Sequence, residues 1–598
     1  MPLIVQKFGG TSVADSAKIL AAARKAIRAQ KEGNQVVVVV SAMGKNTDAL
    51  VSLAGELTER PPAREMDMLL STGEQVSVAL MAMAVDSLGS KAVSLTGGQI
   101  GIRTDSTHTK ARIQSISTDR LRAHLDNGNI VIAAGFQGID EDFNITTLGR
   151  GGSDTTAVAL AAVLKADACE IYTDVDGVYT TDPRLLPEAR RVEQMSYDEM
   201  LELASLGAGV LHSRSVEFAK KFSVPIHVRS SFTDIPGSMI VATPEQASRP
   251  VNGAALTRDE ARITVCDVPD RPGNISEILS RIAGKNVTVD MIVQNVADEG
   301  YADITFTVPR NELDISREAV AEIQGQLGEI TISYDDQVSK VSVVGQGMAN
   351  QAGVADRMFH ALAQEEINIQ LITTSEIKIS TLVRREDAAA ALRAVHRSFE
   401  LEKEIVAASS NDSETSGQSS SRCQPAGGDA VDVVHMLQGM EELTINDIEL
   451  DSSQGYVTIS GVPDTPGVAD TVFRRIGEAG IFVDMIVQSY PRDEGASLGF
   501  TVSKEKLAAS LSVVEGLRES YPSLRIASSE NVAKLSVSGI GLRSHTGVAI
   551  RMFRALADAQ INVTMISTSE VRVNVIVDGS QGPQGLDCLK QAFADVTQ

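Results

Sequence analysis

A lysine one residue ahead of a pair of glycines is the first group in this 598-residue chain with the chemistry to bind phosphate. Residues 3–12 are LIVQKFGGTS, so Lys7 lies near the end of an apolar strand, and a helical pattern follows over Ala14–Gln30. Glycines let the backbone approach a ligand closely, and a helix N-terminus attracts anions. The segment lacks the G-x-x-x-x-G-K-[ST] spacing of the P-loop, and an ordinary strand–turn–helix connection would show the same pattern.

A second set of polar side chains lies at residues 149–154, GRGGSD, ahead of a helical pattern over Thr155–Lys165. Glycines, an arginine, hydroxyls and a carboxylate at a helix N-terminus can bind anionic groups of a substrate. Arg150, Ser153 and Asp154 are therefore candidate site residues. Ser153 and Asp154 would give the same pattern if they only capped the helix.

Three further positions carry suitable side chains in weaker patterns. Ser41 and Thr47 follow the apolar strand Val36–Val40, and ligands of parallel sheets bind beyond the carboxyl ends of strands. Glu74 lies within or beside the helical stretch Met66–Ser87, where a carboxylate is a suitable partner for an ammonium group. The alternative for Ser41 and Thr47 is an ordinary connection from a strand to a loop. The alternative for Glu74 is a solvent-exposed helix face.

The third strong run is residues 171–184, IYTDVDGVYTTDPR. A strand ends at Thr173-Asp174, and a turn-rich loop follows that carries Tyr179 and Arg184. By themselves, acidic and turn residues suggest a loop or a weak metal site. The spacing of an EF-hand is not met, because no glutamate stands at the closing position.

Composition limits the class of protein. The net charge of −24 argues against nucleic acid as a partner, because phosphate backbones require a basic face. The four cysteines form no C-x-x-C pair, which favours free thiols in a reducing compartment and no zinc site. The N-terminus enters a strand at once, and no apolar run approaches the roughly 20 residues of a membrane helix. We therefore expect a cytoplasmic protein with no membrane partner.

The N-terminal part, residues 1–245, alternates apolar strands with helical stretches. This alternation predicts an α/β sandwich with a mostly parallel sheet. The predicted strands are Gln35–Ser41, Ala92–Leu95, Ile130–Ala134, Glu170–Thr173 and Ile226–Arg229. The rest of the chain is long enough for several further domains of roughly 150 residues or fewer.

From about Thr257 the sequence repeats itself. The phrase at Val268–Gly273 returns at Val462–Gly467, and a weaker repeat aligns Gly273 with Gly353. This indicates four units in two duplicated pairs, each with the ferredoxin-like order βαββαβ. The expected boundaries are 258–335, 336–407, 431–529 and 530–598. Residues 408–430 are rich in Ser, Gly and Gln and predict a flexible linker, with an ordered surface loop as the alternative.

The run KFGGTSV at residues 7–13, together with GRGGSD, resembles the aspartate kinases of the amino-acid kinase family. This resemblance implies transfer of the γ-phosphoryl of MgATP to the β-carboxylate of L-aspartate, the first step toward lysine, threonine and methionine. It implies catalytic roles for Lys7 and Asp154. It further implies substrate contacts at Ser41, Thr47, Glu74, Arg150 and Ser153, and ATP contacts at Lys7, Phe8, Gly9, Gly10, Thr173, Asp174, Tyr179 and Arg184. No metal ligand from the protein is expected, since Mg²⁺ would be held mainly by phosphates and water.

One position departs from the family pattern. In the segment LGAGVLH at residues 206–212, many relatives carry lysine at the position of Gly209. Glycine cannot supply that charge, so the way in which the ATP phosphates are neutralised is in question. His212 is more simply explained as a structural histidine than as a proton carrier.

The four repeats resemble ACT domains, which pair edge to edge and bind amino acids between them. This resemblance implies feedback inhibition by lysine, threonine or both, and it makes a homodimer the default expectation. In such kinases one ACT domain is commonly inserted into another, so residues 398–407 and the C-terminus are expected to complete the first and third units. The expected effector contacts are Asp270, Gly273, Asn274, Ile275, Asp290 and Gln294 with Asn368 and Ile369, and Asp464, Gly467, Val468, Asp484 and Gln488 with Asn562 and Val563.

Two other functions remain open on the sequence. A kinase for glutamate or acetylglutamate would also form an acyl phosphate, but such enzymes usually lack tandem ACT domains. A non-catalytic amino-acid sensor would keep the repeats and lose the kinase chemistry. The retention of Lys7, Arg150, Ser153 and Asp154 favours catalysis, whereas Gly209 is the observation that keeps the sensor in consideration.

Overall fold

The computed structural model describes residues 1–207, 210–245, 249–285, 287–296, 300–328, 330–404, 443–492, 495–542 and 547–597. Gly209 and the predicted linker at 408–430 lie outside these residues. The described residues form two compact units, which are considered separately. The first contains Met1–Val178 and Phe222–Val241, and the second contains Tyr179–Lys221, Ala242–Glu402 and Leu443–Gln598.

The first unit is built on a mostly parallel sheet. In spatial order its strands are Ser238–Val241, Ile226–Ser230, Ala168–Thr173, Leu3–Phe8, Gln35–Val40, Ile130–Ala134 and Ala92–Leu95, of which only Ser238–Val241 is antiparallel to its neighbour. A smaller sheet contains Ile113–Ile116, Ile102–Thr104, Gln137–Ile139 and Ile145–Thr147. The helices are Ser16–Lys31, Asn46–Leu57, Ala63–Leu70, Thr72–Ser87, Gly97–Ile100, Asp119–Asp126 and Gly152–Leu164. The predicted α/β fold class is thus confirmed.

The valine-rich strand Gln35–Val40 explains why this sheet is stable. Val36 to Val40 are all buried, as expected of a central parallel strand covered on both faces. Val78, Met81 and Val85 of helix Thr72–Ser87 pack in the same core as alternate residues of that strand. This packing holds the carboxyl ends of the central strands at one edge, where the candidate side chains lie.

The helical stretch Ala63–Ser87 corrects one expectation from the sequence. By length and composition this stretch could cross a membrane, although half of the tested segment is buried inside the unit. The expectation that no apolar run approaches this length is therefore wrong. A helix that packs on a sheet with one face and carries further apolar side chains on the other has the same composition as a spanning helix, so composition alone does not assign it to a membrane.

The second unit contains the four repeats, preceded by helices Tyr197–Ser205 and Ser213–Phe222. The first repeat has strands Gly253–Pro269, Asp290–Val296, Tyr301–Pro309 and Thr331–Val344 with helices Asn274–Gly284, Leu313–Ala321 and Gln324–Leu327, and the second has strands Leu371–Thr374 and Lys378–Arg384 with helices Val354–Gln364 and Ala388–Ser398. The third has strands Gln454–Val462, Val483–Arg492, Gly495–Ser503 and Arg525–Ser529 with helices Val468–Glu478 and Lys504–Glu515. The fourth has strands Val532–Ile540, Met565–Thr568 and Arg572–Asp578 with helices Gly547–Asp558 and Gly582–Ala592.

The strands that complete each repeat differ from those expected. Residues 399–404 form no strand, and the first repeat is closed by the start of Thr331–Val344, which pairs with Gly253–Pro269. At the other end of these two strands, Gly253 pairs with Val344. The start of strand Gly253–Pro269, which precedes the first repeat in the chain, therefore supplies a strand to the second repeat. Arg525–Ser529 closes the third repeat, and Thr444–Asp451 pairs with the fourth. A long antiparallel strand can thus belong to two repeats at once. A comparison of similar sequence segments does not detect this sharing.

The repeats associate in a different combination from the duplicated pairs. Strand Leu371–Thr374 of the second repeat pairs with Val483–Arg492 of the third, with Ile372 opposite Gln488. Strand Asp290–Val296 of the first repeat lies beside Met565–Thr568 of the fourth. Edge pairing is therefore satisfied within one chain. The expectation of a homodimer loses this basis, because these strand edges are already covered.

A buried group of charges fastens helix Tyr197–Ser205 to the repeats. Glu202 is fully buried, its carboxylate lies 2.8 Å from Nζ of Lys378, and it accepts a hydrogen bond from the backbone N–H of Glu570 at 2.9 Å. Burial alone would lower the pKa of Lys378, but the carboxylate of Glu202 and more distant carboxylates raise it. Burial raises the pKa of Glu202, and the charge of Lys378 opposes that rise, so the carboxylate depends on this lysine for its compensation.

Lys378→Met should destabilise the protein strongly. The substitution leaves the carboxylate of Glu202 buried without its cation, which typically costs about 3–5 kcal/mol. Urea unfolding should show a lower transition midpoint, whereas Glu202→Gln/Lys378→Met should recover most of the loss. The exposed Lys506→Met is the matched control and should change little. An unchanged midpoint for Lys378→Met would contradict this assignment.

Candidate active site

The centre of the candidate site is an ion pair between two segments that are far apart in the sequence. Lys7 lies on strand Leu3–Phe8, and its Nζ is 2.5 Å from Oδ1 of Asp154 in the first turn of helix Gly152–Leu164. Both side chains are about nine-tenths buried. Partial burial strengthens the pair, since opposite charges attract more strongly away from bulk water. The fold therefore brings together the two residues to which a catalytic role was assigned.

The glycine turn after Lys7 differs from the expected strand–turn–helix. Gly10–Val13 forms a short 3₁₀ turn, and the α-helix begins only at Ser16. Asp15 caps that helix by accepting the N–H of Lys18 at 2.9 Å. This carboxylate takes one of the free N–H groups at the helix N-terminus, and the anion expected at that end stays a prediction.

The two glycines of the turn serve different purposes. A Cβ at Gly10 would lie 2.8 Å from the carbonyl oxygen of Ala42, so Gly10 permits close packing of two loops. A Cβ at Gly9 would lie 3.5 Å from Nζ of Lys7, which is an ordinary contact, so packing does not by itself require this glycine. Phe8 is fully buried and stacks on Tyr172 with 4.7 Å between ring centroids, so only its backbone is available to a ligand.

A hydroxyl pair not anticipated from the sequence fixes this turn. Ser231 Oγ donates to Ser12 Oγ at 2.5 Å, and the backbone N–H of Ser231 donates to the carbonyl of Thr173 at 2.9 Å. The glycine turn is thereby tied to the end of strand Ala168–Thr173, where the expected ATP residue Thr173 lies. Thr173 in turn donates its hydroxyl to the exposed Asp174 at 3.1 Å.

The loop at residues 149–154 is shaped by left-handed glycines. Gly149 and Gly151 have φ of +77° and +73°, and Arg150 between them is exposed. Gly151 is the N-cap of helix Gly152–Leu164 and no side chain caps the helix, so Ser153 and Asp154 lie within its first turn. The alternative that these two residues only cap the helix is thereby excluded. A Cβ at Gly135 would lie 2.7 Å from Oγ of Ser153, so the serine is held against that backbone.

Glu74 is buried and only half satisfied. Its Oε1 accepts the backbone N–H of Ala42 at 3.0 Å, and its residue exposure is 3%. Its Oε2 is buried without a hydrogen-bond partner among the described residues. Burial raises the pKa of Glu74 to about 7, against the hydrogen bond from Ala42, which lowers it. The site thus holds a carboxylate oxygen that needs a donor.

The other predicted substrate residues, Ser41 and Thr47, follow strand Gln35–Val40 in the chain. The backbone N–H of Ser41 donates to the carbonyl of Phe8 at 3.1 Å, which places Ser41 next to the end of the central strand. Thr47 lies in the first turn of helix Asn46–Leu57 and is half-buried.

Tyr179, Arg184 and His212 belong to the second compact unit. Arg184 is 84% exposed at its side chain and binds Asp182 with 2.7 Å between Nη2 and Oδ2. The hydrogen bonds from Arg184 hold the pKa of Asp182 below its ordinary value. His212 accepts the N–H of Arg214 at its Nδ1 at 3.4 Å, a contact within its own turn.

Magnesium is the metal that the expected reaction requires. Across the described ranges, no group of three or more His, Cys, Asp or Glu side chains is placed to hold a metal ion. Mg²⁺ usually binds through substrate phosphates, water and one or two carboxylates, and the expectation that it arrives with the nucleotide stays a prediction.

The expected effector residues form two matching pockets in the second unit. Asn562 Nδ2 donates to Asp270 Oδ1 at 2.8 Å and Gln294 Nε2 to the carbonyl of Val563 at 2.8 Å. The first pocket, between the first and fourth repeats, is lined by Asp270, Gly273, Asn274, Ile275, Gln294, Asn562 and Val563. The cavity of about 20 Å³ has room for roughly one water.

The second pocket, between the second and third repeats, repeats these contacts. Asn368 Nδ2 donates to Asp464 Oδ1 at 2.9 Å, and Gln488 Nε2 donates to the carbonyl of Ile369 at 2.8 Å. Its predicted lining residues are Asn368, Ile369, Asp464, Gly467, Val468 and Gln488. The grouping of Asn368 and Ile369 with the first repeat is therefore wrong, and so is that of Asn562 and Val563 with the third.

Asp290 and Asp484 lie outside both pockets. Asp290 forms an ion pair with Lys340, which also lies 2.9 Å from Glu260, and Asp484 lies 2.5 Å from Nζ of Lys534. Each lines a separate cavity at the same repeat interfaces, of about 80 Å³ and about 200 Å³ respectively. Their charges are already compensated by lysines.

Comparison with known proteins agrees with this geometry. A sequence model of the amino acid kinase family matches residues 2–230, and ACT domain models match residues 262–327, 341–399 and 535–593. An aspartokinase from Pseudomonas aeruginosa is 52% identical over 405 residues, covering 67% of this chain and 98% of the relative. The crystal structure of aspartate kinase from Synechocystis has 39% identity and a TM-score of 0.52, covering 99% of this chain and 98% of that one.

Escherichia coli aspartokinase III is a more distant structural relative. Its R-state complex with aspartate and ADP is 25% identical, with a TM-score of 0.58, and covers 67% of this chain and 100% of that one. Its T-state complex with lysine and aspartate is 26% identical, with a TM-score of 0.54, and covers 66% of this chain and 99% of that one. The chain described here belongs to the amino acid kinase family and, within it, to the aspartate kinases that carry ACT domains.

Proposed function

We propose that this aspartate kinase transfers the γ-phosphoryl group of ATP to the β-carboxylate of L-aspartate, giving 4-phospho-L-aspartate and ADP as the first step toward lysine, threonine and methionine. The observation that carries the proposal is the Lys7–Asp154 ion pair at the carboxyl end of strand Leu3–Phe8. The complex of the E. coli relative with aspartate and ADP supports the choice of both substrates. A cytoplasmic location stays a prediction.

The chemistry asks for alignment and charge neutralisation more than for proton transfer. A carboxylate is already ionised and nucleophilic at neutral pH, so no general base is needed. The transferring phosphoryl group carries negative charge, which positioned cations stabilise. Lys7 would neutralise phosphate oxygens while Asp154 holds its ammonium group in place. Mg²⁺ bound to the nucleotide supplies further positive charge.

The aspartate substrate would be held through both ends. Arg150 is exposed and suited to a carboxylate, which guanidinium binds in two parallel hydrogen bonds. Glu74 would take the α-ammonium group, whose N–H donors satisfy the partnerless Oε2. Ser153, Ser41 and Thr47 would add hydroxyl contacts. Phe8, Gly9, Gly10, Thr173 and Asp174 would contact ATP, and the ATP contacts expected of Tyr179 and Arg184 stay predictions.

The amino-acid sensor and the kinases for other acids remain the competing functions. Each differs from the proposal in a product that can be measured. A substrate panel with L-aspartate, L-glutamate and N-acetylglutamate, with hydroxylamine to trap the acyl phosphate, separates the three. Turnover with glutamate alone would favour another amino-acid kinase. Amino-acid binding without turnover on any of them would favour the sensor.

The homodimer also stays a proposal, and one surface of the first unit supports it. Val76, Leu80 and Met83 on the outer face of helix Thr72–Ser87 are 47%, 38% and 65% exposed. Their spacing places them on one face, opposite the buried Val78 and Val85. A helix that is apolar on both faces is usually buried on both, and a second copy of the chain would cover this one.

Lys7→Met should lower the turnover number by about 10²–10³-fold, because it removes a cation that stabilises the transferring phosphoryl group. Trapped aspartyl hydroxamate, measured under saturating ATP and aspartate, gives the rate. Lys31→Met, at an exposed helix end, is the control and should keep normal turnover. A Lys7→Met enzyme with normal turnover would refute the proposed role of Lys7.

Binding of aspartate should depend on pH through Glu74. Only the ionised carboxylate attracts the ammonium group, and its pKa is raised to about 7. The ratio kcat/KM for aspartate should therefore rise with pH through about 7 and level off above it. Glu74→Gln should lower this ratio and remove that limb of the profile. A wild-type limb that persists in Glu74→Gln would assign it to another group.

Stability gives an independent check on the same group. The pKa of Glu74 is raised from its ordinary value of 4.5 to about 7, so the folded protein favours the neutral carboxyl group. The contribution of this group to the free energy of unfolding is therefore complete below pH 4.5 and is lost as the pH rises to about 7. The free energy of unfolding of Glu74→Gln should then exceed that of the wild type above pH 7 by about 3 kcal/mol, measured by urea unfolding. The difference should shrink toward pH 4.5.

Lysine, threonine or both are the proposed effectors, bound in the two matching pockets. The T-state complex of the E. coli relative contains lysine, which supports this choice. Asp270 and Asp464 would each exchange their asparagine partner for the α-ammonium group of an effector. The expected effector contacts of Asp290 and Asp484, which line the adjacent cavities, stay predictions.

Asp270→Asn and Asp464→Asn should each weaken inhibition through one pocket. Loss of a charge-assisted hydrogen bond should raise the effector concentration for half-inhibition about 10–100-fold, while uninhibited turnover is unchanged. Inhibition curves with lysine, threonine and both together assign an amino acid to each pocket. Asp314→Asn, which is almost fully exposed, is the control. Unchanged curves in both pocket variants would refute the effector assignment.

A further inference from the structure

Asp67 is a buried carboxylate that no role in the reaction has used. It lies in helix Ala63–Leu70, and its side chain has no exposure to solvent. His108 Nδ1 lies 2.7 Å from Oδ2, and the hydroxyl of Thr147 donates to Oδ1 at 2.5 Å. The backbone N–H of Thr109 donates to both oxygens, at 3.0 and 3.1 Å. One carboxylate therefore binds two segments that are distant from it in the sequence.

Thr109 has an unusual backbone conformation that Asp67 holds. Its φ is +68°, in the left-handed region, which is strained for a β-branched residue. The two hydrogen bonds from its N–H to Asp67 offset that strain. Two residues on, the N–H of Ala111 donates to the carbonyl of Thr147 at 2.9 Å. Residues 108–111 are thus fixed from both sides.

The carbonyl of Thr109 is pressed against the loop that carries Arg150. A Cβ at Gly149 would lie 2.8 Å from that oxygen, so the two backbones are as close as glycine permits. Gly149 also has a left-handed φ, and Thr147 precedes it by two residues. Asp67 therefore fixes this loop twice, through the carbonyl of Thr109 and through the hydroxyl of Thr147.

We propose that Asp67 is a positioning residue for aspartate binding, which sets the loop of Arg150 through Thr109 and Thr147. The inference rests on the proposed role of Arg150 in binding a carboxylate of the substrate. The side chain of Asp67 is fully buried among protein groups, so the proposed effect on the substrate is indirect. Its removal should leave the ATP side intact, because the Lys7–Asp154 pair and the glycine turn make no contact with it among the hydrogen bonds and ion pairs of the described residues.

Asp67→Asn is the first test, since asparagine keeps the shape and has one acceptor oxygen where three donors now converge. The KM for aspartate should rise about tenfold or more, while the KM for ATP and the effector concentration for half-inhibition stay within about twofold. A merely structural role would lower the amount of active enzyme and leave both KM values alone. An unchanged KM for aspartate, or equal increases in both KM values, would overturn the proposal.

A second substitution tests the route through Thr109. Glycine adopts a positive φ without cost, so Thr109→Gly needs less help from Asp67. Asp67→Asn/Thr109→Gly should recover a large part of the KM for aspartate relative to Asp67→Asn. No recovery would contradict the route through the backbone of Thr109. If Asp67→Asn does not fold, as judged by circular dichroism, Thr147→Val takes its place, with the same expected split between the two KM values.

Arg150→Ala, measured in parallel, separates failure of this inference from failure of the proposed function. It should raise the KM for aspartate at least as much as Asp67→Asn. If Arg150→Ala leaves that KM unchanged, the proposed substrate contact is wrong. If Arg150→Ala raises it and Asp67→Asn does not, the contact stands and the positioning role of Asp67 is wrong.

Discussion

The ion pair between Lys7 and Asp154 is the contact on which the catalytic geometry depends. It forms only if the carboxyl end of strand Leu3–Phe8 meets the first turn of helix Gly152–Leu164. The buried valines of Gln35–Val40 beside that strand fix its position, and the left-handed Gly151 fixes where the helix starts. Water is partly excluded from this edge of the sheet. A positive charge there attracts phosphate more strongly than the charge of an exposed lysine does.

The sequence predicted the strands and the charged residues better than the local turns. Ala92–Leu95 and Ile130–Ala134 have the predicted bounds, because short apolar runs between polar residues leave little choice. The helix after Lys7 begins later than predicted, and Asp15 was the overlooked signal, since Asp is a preferred N-cap. The contacts of Ser231 and Asp67 could not be predicted, because each side chain binds a segment that is distant from it in the sequence.

The repeats show the same limit on a larger scale. Internal similarity tells which segments fold alike, but not which fold next to each other. The phrases at Val268–Gly273 and Val462–Gly467 correctly predicted two like pockets, whose Asn–Asp and Gln–carbonyl contacts agree to about 0.1 Å. Each pocket nevertheless takes its second wall from a repeat of the other duplicated pair. The pairing of strand edges in the folded chain determines which repeats are neighbours. No pattern that we identified in the sequence predicts this pairing.

Pairing across the duplication has a consequence for regulation. Glu202, on a helix within the segment matched by the kinase family, binds Lys378 of the second repeat and the N–H of Glu570 of the fourth. The second repeat pairs with the third and the fourth with the first, so this one buried carboxylate contacts a member of each pair. Removal of either partner would leave this carboxylate buried and less well compensated, which is costly for a group without access to water. The contact is therefore the point at which one helix of the kinase segment meets both pairs of repeats.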